Sequence, residues 1–315
     1  MRNEVRWERL FPDELERRFA ECPLVVFPYG LCEPHGPHDT VGLDALKAHG
    51  IARRFAERFG GIVAPVDYWH VHEHVGYASW SYKSVGEVAR TWLTSVPAWH
   101  HFKTVLYHVR AAEAQGFKAA IFLTGHYGPN WKDLKTLLTT VQPRFAVRLY
   151  GLPDFEANHR GFDNDGKSGG DHAGKVETSL LWALEPDCVD LSRIPREARA
   201  ADAAGGGTDA NTAWARPPYF AMGENAVESD RRVGERMVEE EIQFLTDLAQ
   251  RLLSEFEEPE SRRVPTFEEV EEIWDSDIKP ILHTFESLLD FHQDIGEPPA
   301  GSVWHAQYRV KDPNR

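Results

Sequence analysis

The chain has 315 residues, 42% of them hydrophobic, and a formal net charge of −15. So large an acidic excess excludes a general nucleic-acid binder, whose contact face must be basic, and no apolar run is long enough to cross a bilayer. The three cysteines, Cys22, Cys32 and Cys188, are too sparse for a disulfide framework. With an N-terminus that lacks an apolar signal core, they predict a reducing, cytoplasmic setting.

Strand and helix patterns alternate along the chain. Residues 12–22 read as a short helix with Asp13 and Glu14 in its first turn. Residues 24–28 are a short buried strand, and residues 45–59 are a helix opened by Asp44. Between them stand Glu33, His35 and His38. Carboxylates and imidazoles, the usual ligands of a divalent metal, thus fall within one strand-end loop and the following helix start. That is where open α/β sheets place their chemistry. Cys32, beside Glu33, reads as a small buried residue rather than a soft ligand. Residues 61–66 form a short apolar strand. The segment after it holds His70, His72 and His74, three histidines in five residues, read as pocket lining or a subunit contact rather than a metal site. His100 and His101 read as a solvated cap before a helix over residues 102–115, closed by Gly116.

Residues 119–123 are a strand running into the glycine-flanked His126, with Asn130 placed to cap a helix over 130–141. A further strand covers residues 145–152. Residues 157–170 form a polar loop that suits a mobile lid; its Asp163-Asn164-Asp165-Gly166 piece lacks the later acidic ligand of a calcium loop. Gly170 to Ser179 enters an apolar helix ending near Leu184 and carries Asp171, His172 and Glu177. Residues 229–256 form a long helix with Val233, Met237, Phe244, Leu245, Leu248 and Leu252 as its apolar stripe. The tail has two more amphipathic pieces, at 267–274 and 278–291, which cap either this chain's own core or a neighbouring subunit. The alternation predicts an α/β fold with a mostly parallel sheet covered on both faces.

Three segments, Glu33-Pro34-His35-Gly36-Pro37-His38 with Asp44, then Gly125-His126-Tyr127, then His172-Ala173-Gly174-Lys175-Val176-Glu177-Thr178-Ser179, together resemble the creatininase (creatinine amidohydrolase) family. The resemblance covers roughly residues 20–250. It implies a three-layer α/β/α subunit, assembly into a homo-oligomer (hexamers are usual) and two divalent metal ions per subunit. Asp44 would bridge them, Glu33 and His126 would hold one, and His35 with a further Glu the other. Creatininase itself has that Glu two residues after the histidine of its second motif, where this chain has Gly128; Glu177 is the expected replacement. The ligand types suit zinc first, then manganese or iron. His172 would be a general acid or electrostatic partner set by its Asp171 and Glu177 neighbourhood, or else a helix-start histidine bonded to backbone. Tyr127 would touch substrate or pack, and His74 would line the pocket. The 157–170 loop lacks the tryptophans with which creatininase holds its substrate, which points away from creatinine itself. The implied organisation is a catalytic domain over residues 1–260 and a helical extension over 261–315. The implied activity is metal-dependent hydrolysis of a non-peptide C–N bond in a small cyclic amide, formamide or similar compound. Alternatives are a peptidase of the mycofactocin-maturation type, an isomerase or lyase on the same centre, and a non-catalytic metal-bound relative.

Overall fold

The computed structural model describes residues 3–72, 92–128, 130–158, 172–194, 226–261 and 263–288. Four strands, β1 Leu24–Tyr29, β2 Ile62–Val63, β3 Ala119–Thr124 and β4 Arg148–Pro153, form a sheet in the order β2-β1-β3-β4. All three pairings are parallel, with Val25 opposite Ile62, and Phe27 and Gly151 both opposite Phe122. Parallel strands need crossovers that cover the sheet faces, and their side chains divide between two cores. Val25, Phe27, Tyr29, Ala120 and Phe122 enter one core; Leu24, Val26, Ala119, Ile121 and Leu123 enter the other. The first is closed by α3 Ala98–Gln115, α4 Asn130–Val141 and α7 Phe267–Ile273. The second is closed by α2 Leu43–Phe59, α5 Lys175–Leu184 and α6 Arg231–Ser254, while α1 Pro12–Glu21 leads into β1. The fold is therefore three-layer α/β/α on a parallel sheet.

From β1 the chain passes through α2 to β2 at one edge, then returns through α3 to place β3 on the other side of β1. This reversal opens a crevice at the carboxyl ends of β1 and β3, the usual ligand position in open α/β sheets. No helix among the described residues is long and apolar enough to cross a membrane.

Several elements differ from the sequence expectation. The strand expected over 61–66 is only Ile62–Val63, because Pro65 has no N–H to extend the ladder. The strand expected from 145 begins at Arg148, since Gln142–Arg144 forms a 3-10 turn first. His100 and His101 lie inside α3, which starts after Pro97. His101 is buried with its ring centroid 5.5 Å from that of Tyr29, so it is a core residue and not a solvated cap. Val270, Ile273, Trp274, Ile278, Phe285 and Leu288 of the tail pack into this chain's own first core. His74, Asp171 and most of the expected lid loop lie outside the described residues.

Candidate metal centre

The crevice is built by close approach of backbones. β1 leaves through Gly30 into the loop carrying Glu33 and His35, and β3 leaves through Gly125 to His126. The start of α2 passes between them. A Cβ on Gly30 would stand 2.3 Å from the Ala45 nitrogen, and one on Gly125 would stand 2.0 Å from the Asp44 carbonyl oxygen. Glycine at both positions lets the second residue of α2, Asp44, reach between the two strand ends. Glu177 arrives from the first turn of α5. Ahead of it Ala173 takes a left-handed conformation (φ 53), rare outside glycine, and donates its N–H to Glu177 Oε2 at 2.8 Å.

These elements bring three buried carboxylates and two imidazoles to one point. Asp44 faces both sides: Oδ1 is 3.3 Å from His35 Nε2, and Oδ2 is 3.1 Å from His126 Nδ1. Glu33 Oε1 is 3.1 Å from His126 Nδ1, and Glu177 Oε2 is 3.7 Å from His35 Nε2. His35 donates from Nδ1 to the Glu33 carbonyl at 3.0 Å, which turns Nε2 toward the carboxylates. His172 stacks on His35 with centroids 4.5 Å apart; its Nε2 meets the Pro34 carbonyl at 3.1 Å and its Nδ1 lies 3.8 Å from Glu33 Oε1.

The electrostatics favour a cation here. Burial alone would raise Glu33, but the imidazoles of His72, His172 and His126 hold it well below the usual carboxylate range. Burial also opposes the ionised form of Asp44, which His35 and His126 nevertheless hold down at about 2. Desolvation would lower His35, yet Asp44, Glu177 and Glu33 lift it to about 10. Glu33 Oε1, His35 Nε2 and Asp44 Oδ1 are buried with no hydrogen-bond partner among the described residues. Orphaned polar atoms aimed at one another are costly unless something binds between them. Ligand atoms of His35, Asp44 and Glu177 lie within 4.8 Å of one another, as do those of Glu33, His72 and His126, and those of Glu33, His35 and His172. The residues present therefore fit divalent metal with mixed carboxylate and imidazole donors.

Glu33, His35, Asp44, His126, His172 and Glu177 thus meet at one site. His38 does not join them: its Nε2 meets Thr178 Oγ1 at 3.1 Å, and burial lowers its imidazole to about 4. Cys32 is in none of the ligand groups among the described residues; its N–H donates to Thr94 Oγ1. The half-buried ring of Tyr127 packs beneath the Lys47 ammonium and edge-on to Phe155. Sequence reasoning missed Lys47, and it read His72 as pocket lining or a subunit contact rather than as part of a metal site, whereas the structure groups it with Glu33 and His126. His72 meets Glu33 Oε2 at 2.8 Å, and Lys47 donates to Glu177 Oε1 at 2.6 Å while standing 3.5 Å from Asp154 Oδ2. Burial would lower the Lys47 ammonium, but Asp154 and Glu177 hold it above the ordinary lysine value. The spacing of Lys47 three residues after Asp44 was the available signal, since it puts both on one helix face.

Known proteins resemble this chain. Residues 8–249 match the creatininase profile, described as creatinine amidohydrolase. The chain is 30% identical over 209 residues to the creatinine amidohydrolase of Pseudomonas putida, covering 61% of this chain and 74% of that protein. It is 27% identical over 183 residues to the mycofactocin precursor peptide peptidase of Mycobacterium ulcerans (strain Agy99), covering 55% of this chain and 62% of that one. A solved creatininase mutant of Zn-Zn type superposes with a TM-score of 0.58 at 23% identity, covering 81% of this chain and 99% of that chain.

Proposed function

The chain belongs to the creatininase family, and we propose that it is a metal-dependent amidohydrolase that cleaves a C–N bond in a small cyclic amide, formamide or similar compound. The observation that carries this is Asp44, buried with one oxygen toward His35 and the other toward His126. In this reading Glu33 and His126 would hold one metal ion, His35 and Glu177 the other, and Asp44 would be shared between them. Zinc is the first candidate, as in the Zn-Zn type relative, with manganese or iron next. When bound, such a pair activates a water and polarises a carbonyl oxygen.

The remaining chemistry falls to His172. Desolvation lowers its imidazole while Glu33 pulls the other way. With Nε2 committed to the Pro34 carbonyl, Nδ1 faces Glu33 and is the proton-transfer atom. As the water oxygen bonds to the carbonyl carbon, Nδ1 takes the proton released, then returns it to the departing nitrogen as the C–N bond breaks. This reading gives substrate contacts to Tyr127, His74 and Asp171. A short peptide is the second substrate reading, favoured by the 27% identity to the mycofactocin precursor peptide peptidase. The family also suggests a homo-oligomer, and the sparse cysteines a cytoplasmic setting.

The test is elemental analysis of metal per chain beside turnover on lactams, formamides and short peptides, for the wild type and Asp44→Ala. Close to two metals and turnover in the wild type, both falling sharply in the variant, are expected. A metal count unchanged by Asp44→Ala removes the bridging role, and turnover confined to peptides selects the second reading.

A further inference from the structure

Lys47 is fully buried on α2, one helical step from Asp44 on the same face. Its ammonium is fixed from three sides: it donates to Glu177 Oε1 at 2.6 Å, stands 3.5 Å from Asp154 Oδ2, and lies 3.8 Å from the centroid of the Tyr127 ring. Taking an ammonium out of water is costly, and a buried ion pair is often no more stabilising than apolar residues of the same volume. Stability alone is thus a weak reason for a lysine here. What the arrangement does achieve is a division of the Glu177 carboxylate. Oε1 is occupied by Lys47, while Oε2 accepts the Ala173 N–H at 2.8 Å and faces His35 Nε2 at 3.7 Å. Only one oxygen of Glu177 is turned toward the centre. Gly128 supplies no carboxylate of its own, so the second metal position depends on how firmly that one oxygen is aimed.

We propose that Lys47, braced by Asp154, is a positioning residue that holds Glu177 as a one-oxygen ligand and so sets the affinity of the metal position shared by His35, Asp44 and Glu177. The proposal rests on the two-metal reading above and can fail while that reading stands. Lys47 acts through Glu177 and touches neither substrate nor metal. Ligands locked by outer partners bind metal more tightly because the ordering of the carboxylate is completed on folding rather than on binding.

The experiment is zinc binding by the metal-stripped full-length protein, titrated against a chromophoric chelator, with bound metal counted by elemental analysis. The wild type should take up two zinc ions per chain; one or none overturns the two-metal reading itself. Lys47→Met should keep the first zinc at wild-type affinity and bind the second roughly 10–100-fold more weakly, the usual effect of removing an outer partner of a metal ligand. Lys47→Met leaves Asp154 buried without its cation, so a second variant, Lys47→Met/Asp154→Asn, removes both charges. Its melting temperature should recover while the second zinc stays weak. Wild-type affinity for both zinc ions in either folded variant overturns the proposal. So does recovery of the second zinc together with the melting temperature in the double variant, because Lys47 would then serve the fold alone.

Discussion

A Cβ at position 125 would stand 2.0 Å from the Asp44 carbonyl oxygen, well inside any real contact distance. Gly125→Ala must therefore separate the end of β3 from the start of α2, moving His126 away from Asp44. Overpacking of this kind costs about 1–3 kcal/mol, and misplacing a reacting group by an ångström costs on the order of 10²-fold in turnover. The urea midpoint and the turnover of the folded variant measure the two effects separately. Turnover and midpoint at wild-type levels would show that the spacing does not depend on this glycine. At this scale the centre was largely legible in the sequence. Glu33, His35, Asp44, His126 and Glu177 announce themselves because carboxylates and imidazoles sit where loops meet regular elements. Lys47 was not legible as part of it, and His72 read as pocket lining or a subunit contact. A lysine inside an amphipathic helix normally marks the solvated face, and only the three-dimensional meeting of α2 with α5 shows that this one points inward.

Helix α6 shows why elements are easier to find than to orient. Its existence follows from the periodicity, and its observed limits, Arg231–Ser254, lie within the expected span. Its buried stripe differs from the expected one: Gly234, Val238, Glu241 and Ile242 are buried, whereas Val233 and Met237 are only partly so. The reason is a contact that hydrophobic patterning cannot register. α6 crosses α5 through Gly234, where a Cβ would lie 1.8 Å from the Ser179 carbonyl oxygen. That rotation carries Glu241 inside, where Oε2 accepts the Ala157 N–H at 2.8 Å and Oε1 has no partner among the described residues. Burial lifts its carboxyl from 4.5 to about 8. Between those values the folded protein keeps a proton that the unfolded chain has released. Stability therefore falls as pH rises, by about 1.4 kcal/mol per unit and at most roughly 5 kcal/mol over the window, with no further loss above the folded value. Glu241→Gln is neutral throughout, so its stability relative to the wild type should climb from about pH 5 to about pH 8 and then level off. Urea unfolding of the two proteins at matched pH values gives the difference directly. A difference that stays constant across that range would mean that Glu241 is ionised in the folded state.

For the molecule as a whole, the open question in the sequence was what the tail covers. The family match ends at residue 249, yet the first core is closed by residues beyond it. Phe285 sits edge-on to Phe102 of α3 at 5.1 Å. Asp133 of α4 accepts the N–H groups of Glu286 and Ser287 at 2.9 and 2.7 Å, and Arg110 of α3 donates to the Pro265 carbonyl at 2.8 Å. Trp274, 6% exposed, fills the space between. Amphipathic periodicity could identify these pieces but not their partner, because an apolar stripe carries no record of which surface it meets. The structure turns the alternative into a measurement. Trp274→Ala should cost about 3–5 kcal/mol, as for other buried large-to-small changes, and lower the melting temperature by roughly 10 °C in a chain of this size. If the tail stabilises its own core, that loss is the same at low and high protein concentration, because folding within one chain is unimolecular. If its main contact were with a neighbouring subunit, the loss would depend on concentration and would be accompanied by dissociation of the assembly. Melting curves over a hundredfold range of dilution, read beside the sedimentation of the same samples, separate the two, and a loss that is independent of concentration is the expected result.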